Sequence, residues 1–208
     1  MKPFFLVCSL LLFIYGTKAQ TKLALKAGAN YSTAKASFNG IKQPTSYVPG
    51  LNIGLQMTTA FEPPLFFTAL AHYSMRGYII KPTSGSISRY ENRIHYIDLT
   101  PLLSFHVKTS SQSNLVLSAG PLAGLALSGT EKQTENGITT SKKMTLSTSG
   151  NYGLFDLAIY SSIGLHFDKF FVEAAYEHGF VNINNNVETD GKDIQNRIFS
   201  LNLGYYFH

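Results

Sequence analysis

From Phe199 to Phe207 every second residue is large and apolar, namely Phe199, Leu201, Leu203, Tyr205 and Phe207, with Ser200, Asn202, Gly204 and Tyr206 between them. A period of two sorts these residues onto opposite faces of a β-strand, one apolar and one mixed. The same alternation predicts eight strands, over residues 22–32, 48–60, 65–78, 94–107, 114–128, 154–167, 170–181 and 194–207. Each is long enough to cross an outer membrane at a tilt, which takes about 9–11 residues.

The connections alternate in length. Residues 61–64, 108–113 and 168–169 are short, whereas 33–47, 79–90, 129–150 and 182–193 are long, polar and rich in Ser, Thr, Asn and Gly. Up-and-down membrane barrels have this asymmetry, tight turns at one rim and long loops at the other. The fold expected is an all-β, eight-stranded antiparallel up-and-down transmembrane β-barrel, with both chain ends periplasmic.

The two faces differ in charge. One carries Leu23, Leu25, Leu51, Ile53, Leu55, Phe67, Ile97, Leu99, Leu103, Leu117, Leu157, Ile163 and Val172, without a single ion. Lys or Arg at the bilayer midplane costs about 2–4 kcal/mol, so a charge-free face is what hydrocarbon selects. The other face carries Lys26, Gln56, His72, Arg76, Asp98, His106, Asp156, His166, Glu173 and Glu177. A soluble barrel of lipocalin type would turn the apolar face inward and the ions out. The apolar C-terminal strand argues against it, because an exposed edge of this kind invites aggregation.

Residues 1–19 read as an export signal: Lys2, then an apolar run to Tyr15, then Thr17-Lys18-Ala19 with small residues where a signal peptidase cuts. That leaves 20–208 as one barrel domain. Cys8 is the only cysteine and falls in the leader, too early for a lipoprotein signal, so the remaining chain has no disulfide or thiolate metal site. Of 17 basic residues only Lys2 and Lys18 fall in the leader, and all 12 acids lie beyond it. The charges are scattered rather than clustered, which excludes a nucleic-acid footprint. Tyr 12, Phe 15 and Gly 17 suit strands and turns.

Six stretches in order resemble the PorT-like outer-membrane β-barrel family of Bacteroidota, small barrels related in shape to OmpA and OmpX. They are Leu25-Lys26-Ala27-Gly28-Ala29-Asn30-Tyr31-Ser32, Tyr73-Ser74-Met75-Arg76-Gly77, Tyr96-Ile97-Asp98-Leu99-Thr100-Pro101-Leu102-Leu103, Ala119-Gly120-Pro121-Leu122-Ala123-Gly124, Val172-Glu173-Ala174-Ala175-Tyr176 and the closing strand. The chain departs in having Asp98 where glutamate is commoner and His208 after the final aromatic residue. The resemblance implies location and fold, and an association with type IX secretion, but no catalytic residue.

An eight-stranded barrel is just wide enough to be filled by side chains, and an unpartnered buried ion costs several kcal/mol. Lys26, Arg76, Asp98, Asp156, Glu173 and Glu177 are therefore expected to form a salt-bridge network plugging the lumen; the alternative is a narrow pore or small-molecule site. His72 and Ser74, two apart on one strand, have the spacing of nucleophile and base in outer-membrane lipid A deacylases, but their face is the lumen rather than the bilayer. His106 and His166 lack a third ligand for zinc. No catalytic residue, cofactor or metal is assigned. Lys132, Lys142 and Lys143, with Glu131 and Glu135, decorate the longest loop, either as a solvated loop or as a contact for lipopolysaccharide phosphates or a protein partner. Leu203, Tyr205 and Phe207 are the expected C-terminal signal to the barrel-assembly machinery. Pro101 and Pro121, which cannot donate to a ladder, are expected to form a paired bulge. The functional expectation is a non-enzymatic structural or interaction protein of a Gram-negative outer membrane, with a secretion-machine component, a narrow pore and a lipid A-modifying hydrolase as alternatives.

Overall fold

The computed structural model describes residues 21–83, 85–147, 152–185 and 191–207; the predicted leader lies outside them. Ten strands run in chain order: β1 Lys22–Phe38, β2 Ile41–Gln43, β3 Thr45–Glu62, β4 Leu65–Ile80, β5 Ile87–Lys108, β6 Asn114–Glu135, β7 Ile138–Lys143, β8 Phe155–His166, β9 Phe170–Gly179 and β10 Lys192–Phe207. Eight of them form one antiparallel wall, and β10 closes it on β1 from Leu23↔Phe207 to Phe38↔Lys192. Closure leaves the wall without an edge. Both described chain ends lie at the rim that carries the short turns, called here the turn end.

The alternation reads out as inside and outside. Leu203 is 65% exposed on the outer surface, while its neighbour Asn202 is buried in the lumen. Aromatic residues mark both borders of the outer apolar band. Tyr31 stacks on Tyr47 at 4.5 Å toward the loop end, and Phe170 meets Tyr205 at 5.1 Å near the turns. Such girdles sit at the two membrane interfaces of outer-membrane barrels. On the outer face of β5, Arg89, Glu91 and Arg93 show where the strand leaves the hydrocarbon, since Glu91 bonds both arginines.

Three long connections differ from expectation. The stretches expected at 33–47, 79–90 and 129–150 hold much strand: β1 runs on to Phe38, β4 to Ile80, β5 begins at Ile87, and β6 runs to Glu135 before β7 returns along it to Lys143. Asn39-Gly40 and Asn136-Gly137 make the tight turns, with all four residues at positive φ. Asn-Gly is the pair that two-residue hairpin turns favour. Polar residues stand on both faces here, and on β7 all six side chains are exposed, so the segments read as loop although the backbone stays paired.

The proline expectation is half corrected. Pro101 falls opposite Pro121, and the ladder lapses between Leu99↔Ala123 and Leu103↔Ala119, but the register is the same on both sides. No residue is inserted, so there is no bulge. The two missing donors coincide in one pair, so the interruption stays local. Register shifts lie elsewhere: between Tyr47 and Asn52 of β3, spanning Pro49 and Gly50; near His95 and Tyr96, where β6 carries Leu127 as an extra residue; and at the strand ends between Ala60 and Glu62 and between Ile87 and Arg89.

Candidate functional site

The barrel interior holds the chemistry, and Arg76 of β4 is its centre. Its guanidinium lies 2.9 Å from Asp156 of β8 and 3.1 Å from Glu177 of β9, and it contacts Asp98 of β5 most closely. The Glu177 contact is ionic without hydrogen-bond alignment. Arg76 Nε donates to Ser74 Oγ at 3.2 Å, and the guanidinium lies 4.7 Å over the Tyr96 ring. Asn196 of β10 donates to Asp156 at 2.7 Å. In register, Gly124 of β6 lies between Asp98 and Asp156. A Cβ there would come within 2.5 Å of Asp98 Oδ1, so the bare position is what lets the carboxylate lean inward.

A second ion pair lies nearer the turn end. Lys26 Nζ meets Glu173 at 2.5 Å and Tyr160 Oη at 2.6 Å, and Tyr160 donates to the same carboxylate at 2.7 Å. The six ions expected to form one network thus form two groups. Asparagines bridge them: Asn202 donates to Glu173 at 3.3 Å, Asn52 donates to Asn202 at 2.9 Å and to Asn30 at 2.7 Å, and Asn30 donates to Ser74 at 3.0 Å. From Ser74 the path reaches Arg76. Sequence reasoning missed this relay, because the amides meet only once the registers of β1, β3 and β10 are known.

The charges do not balance by pairs alone. Two bases face four acids, all buried, with His72 Nε2 3.3 Å from Asp98 as a further neighbour. Asp98 Oδ1 and Asp156 Oδ1 are buried without a hydrogen-bond partner among the described residues. The ionic layer is packed from both ends. Toward the loops, Met144 and Ile183 fold in from connecting segments against Tyr78, Ile80, Ile94, Tyr96 and Ile194. Toward the turns, Leu70, Leu102, Leu122 and Tyr160 form a second apolar layer. The plug is therefore apolar as well as ionic, and Met144 and Ile183 gave no periodic signal that would have placed them inside.

The remaining residues singled out in the sequence are placed as follows. His72 and Ser74 are both buried in the lumen, and Ser74 Oγ is held by Asn30 and Arg76. Facing neither the bilayer nor water, it cannot meet a lipid ester. His106 and His166 have ring centroids 6.0 Å apart, and among the described residues no three His, Cys, Asp or Glu side chains converge as metal ligands. Lys142 pairs with Glu131 at 2.9 Å across the β6–β7 hairpin, and Glu135 accepts from Ser86 at 2.5 Å. Tyr152 also donates to Glu131, and burial pushes its hydroxyl above the ordinary tyrosine range, which keeps it a donor. Leu203, Tyr205 and Phe207 all face outward on β10.

Comparison with known proteins adds the following. The structure of Ail, the attachment invasion locus protein of Yersinia pestis, matches at 16% identity, covering 89% of this chain and 98% of that one, with a TM-score of 0.44. Neisserial surface protein A matches at 13%, covering 89% and 97%, with a TM-score of 0.44. The outer membrane protease OmpT from Escherichia coli matches at 9%, covering 93% and 99%, with a TM-score of 0.43. No curated protein matches the sequence. A family model described as an outer membrane protein beta-barrel domain matches residues 18–185. With most of its length inside that match, the chain belongs to the outer membrane protein β-barrel domain family, and it is an outer-membrane protein.

Proposed function

We propose that this protein is a non-enzymatic outer-membrane barrel whose lumen is sealed and whose work is done at the loop end, as a surface for a protein partner. The observation that carries this is the shape of the wall. β6 pairs with β8 only as far as Leu125↔Phe155, and above that level it pairs with β7 instead. β7 pairs with β6 alone among the described residues, and all six of its side chains are exposed. An unpaired edge of this kind is a template for an added strand. In this reading residues 1–19 are removed on export, 20–208 form the single domain, the turn end faces the periplasm and the loops face outward. Outer-leaflet lipopolysaccharide lies against Lys132, Lys142 and Lys143, and the barrel-assembly machinery reads Leu203, Tyr205 and Phe207. The PorT-like motifs support an affiliation with Bacteroidota barrels.

The test is a pull-down from native membranes using the parent chain and chains with proline at Thr140 or Ser141. A partner that needs the β7 edge is lost from the proline variant whose N–H faces outward, while the barrel still folds. Recovery of the same partners by every variant would contradict the reading, and so would steady ion conductance through the parent in a planar bilayer.

A further inference from the structure

At the turn end the lumen opens into a cup of ≈ 520 Å³ that no part of the plug uses. Its polar lining includes Lys22 of β1, Asn114 of β6, His106 of β5 and His166 of β8, with Phe66 and Tyr206 among its walls. Among the described residues no carboxylate lines it. Lys22 makes no ion pair among the described residues, although Asp168 shares an adjoining recess with it. Its ammonium instead lies 5.7 Å over the Tyr206 ring.

His166 is the second observation. The residue is buried, its Nδ1 lies 2.8 Å from Tyr206 Oη, and its ring stacks on Phe171 with centroids 4.7 Å apart. The His166–Tyr206 hydrogen bond fixes both rings in the wall of the cup. His106 lies 4.0 Å from Phe66 in a stacked pair, presenting a flat wall. Inward, the cup stops. Thr58, one of its lining residues, bonds Thr68 at 3.2 Å, Thr68 bonds Ser104 at 2.9 Å, and Ser104 bonds Ser118 at 2.8 Å, a row of hydroxyls along β3 to β6, and beyond it Leu70, Leu102, Leu122 and Tyr160 fill the lumen.

We infer that this cup is a binding site for a small organic anion with a planar apolar body. An ammonium and an amide supply donors, aromatic and imidazole faces supply the slot, and the filled lumen beneath makes the cup a receptacle rather than a passage. A metal cation on the two imidazoles is disfavoured by the neighbouring ammonium and by the lack of a third ligand.

The experiment uses benzoate as probe, benzamide as its uncharged counterpart, and zinc ion alone, each titrated into the barrel in lipid nanodiscs while the His106 and His166 imidazole resonances are followed. The expected result is a saturable shift with benzoate and none with benzamide at equal concentration. Lys22→Gln should weaken the benzoate response about tenfold, with folding checked by the strand signals in the same spectra. Equal responses to benzoate and benzamide would overturn the inference as mere apolar partitioning. It would equally be overturned by the absence of a saturable shift, by undiminished binding in Lys22→Gln, or by zinc binding where benzoate does not bind.

Discussion

Arg76 on β4 reaches across the lumen to Asp156 on β8, Nη1 to Oδ2 at 2.9 Å, over a sequence separation of 80. The contact ties opposite walls of the barrel. The guanidinium also holds Asp98 and Glu177, so its removal strands three buried carboxylates at once. Breaking a buried pair from one side costs about 3–5 kcal/mol. Arg76→Met should lower the unfolding free energy in lipid vesicles by at least that much, measured by urea titration. Restoring Asp98 and Glu177 to neutrality as Asn and Gln in the same chain should recover a large part.

A change on the outer face should depend on depth. Leu103 lies within the apolar stretch of β5, whereas Val107 lies at its turn-end border, and both are exposed. Leu103→Arg should cost about 2–4 kcal/mol and Val107→Arg about 0–1 kcal/mol. Folding into vesicles of defined thickness measures both.

How far this was legible in the sequence depends on which forces act locally. The alternation that turns Leu201 and Leu203 outward and Asn202 inward is a property of one strand, so it could be read residue by residue. The ions Lys26, Arg76, Asp98, Asp156, Glu173 and Glu177 were legible as lumen residues for the same reason. Which ion meets which was not, since Arg76 meets Asp156 only through the register of intervening strands. Asn39-Gly40 and Asn136-Gly137 were legible and were passed over, because the polar residues around them resembled loop. Pro101 and Pro121 misled by suggesting an inserted residue where one shared interruption suffices, while Pro49, in the predicted strand 48–60, lies at one of the bulges.

Gly204 faces Phe171 across the β9–β10 pair, and a Cβ on Gly204 would overlap the Phe171 ring. Gly204→Val should destabilise the barrel by about 1–3 kcal/mol. Combined with Phe171→Ala it should cost less than the sum of the two single changes, because the added methyls fill part of the space the ring leaves. A double-mutant cycle by thermal unfolding measures the coupling.

Above the membrane, the hydrogen bond from Arg89 at 2.9 Å is the main reason the Glu91 carboxyl is held below the usual carboxylate range, despite opposing desolvation. A lowered folded value stabilises the hairpin above the unfolded carboxylate range, near pH 4.3, and that stabilisation is lost as pH falls through the lower folded value. Amide exchange at the outer end of β5 should accelerate from pH 6 to pH 3 after correction for intrinsic rates. In Glu91→Gln the change should be smaller.

The central claim is that the alternating face of Leu and Phe meets hydrocarbon while the ions lie within. Cys8 is the chain's only cysteine, so single cysteines can be placed one at a time along residues 199–207 of a Cys8→Ser chain and spin-labelled in bilayers. Accessibility to dissolved oxygen against a water-soluble nickel reagent then maps each position. Labels at Leu201, Leu203 and Tyr205 should be accessible to oxygen, and those at Ser200 and Asn202 shielded from it. Oxygen access at Ser200 and Asn202, with Leu201 and Leu203 shielded, would contradict the account.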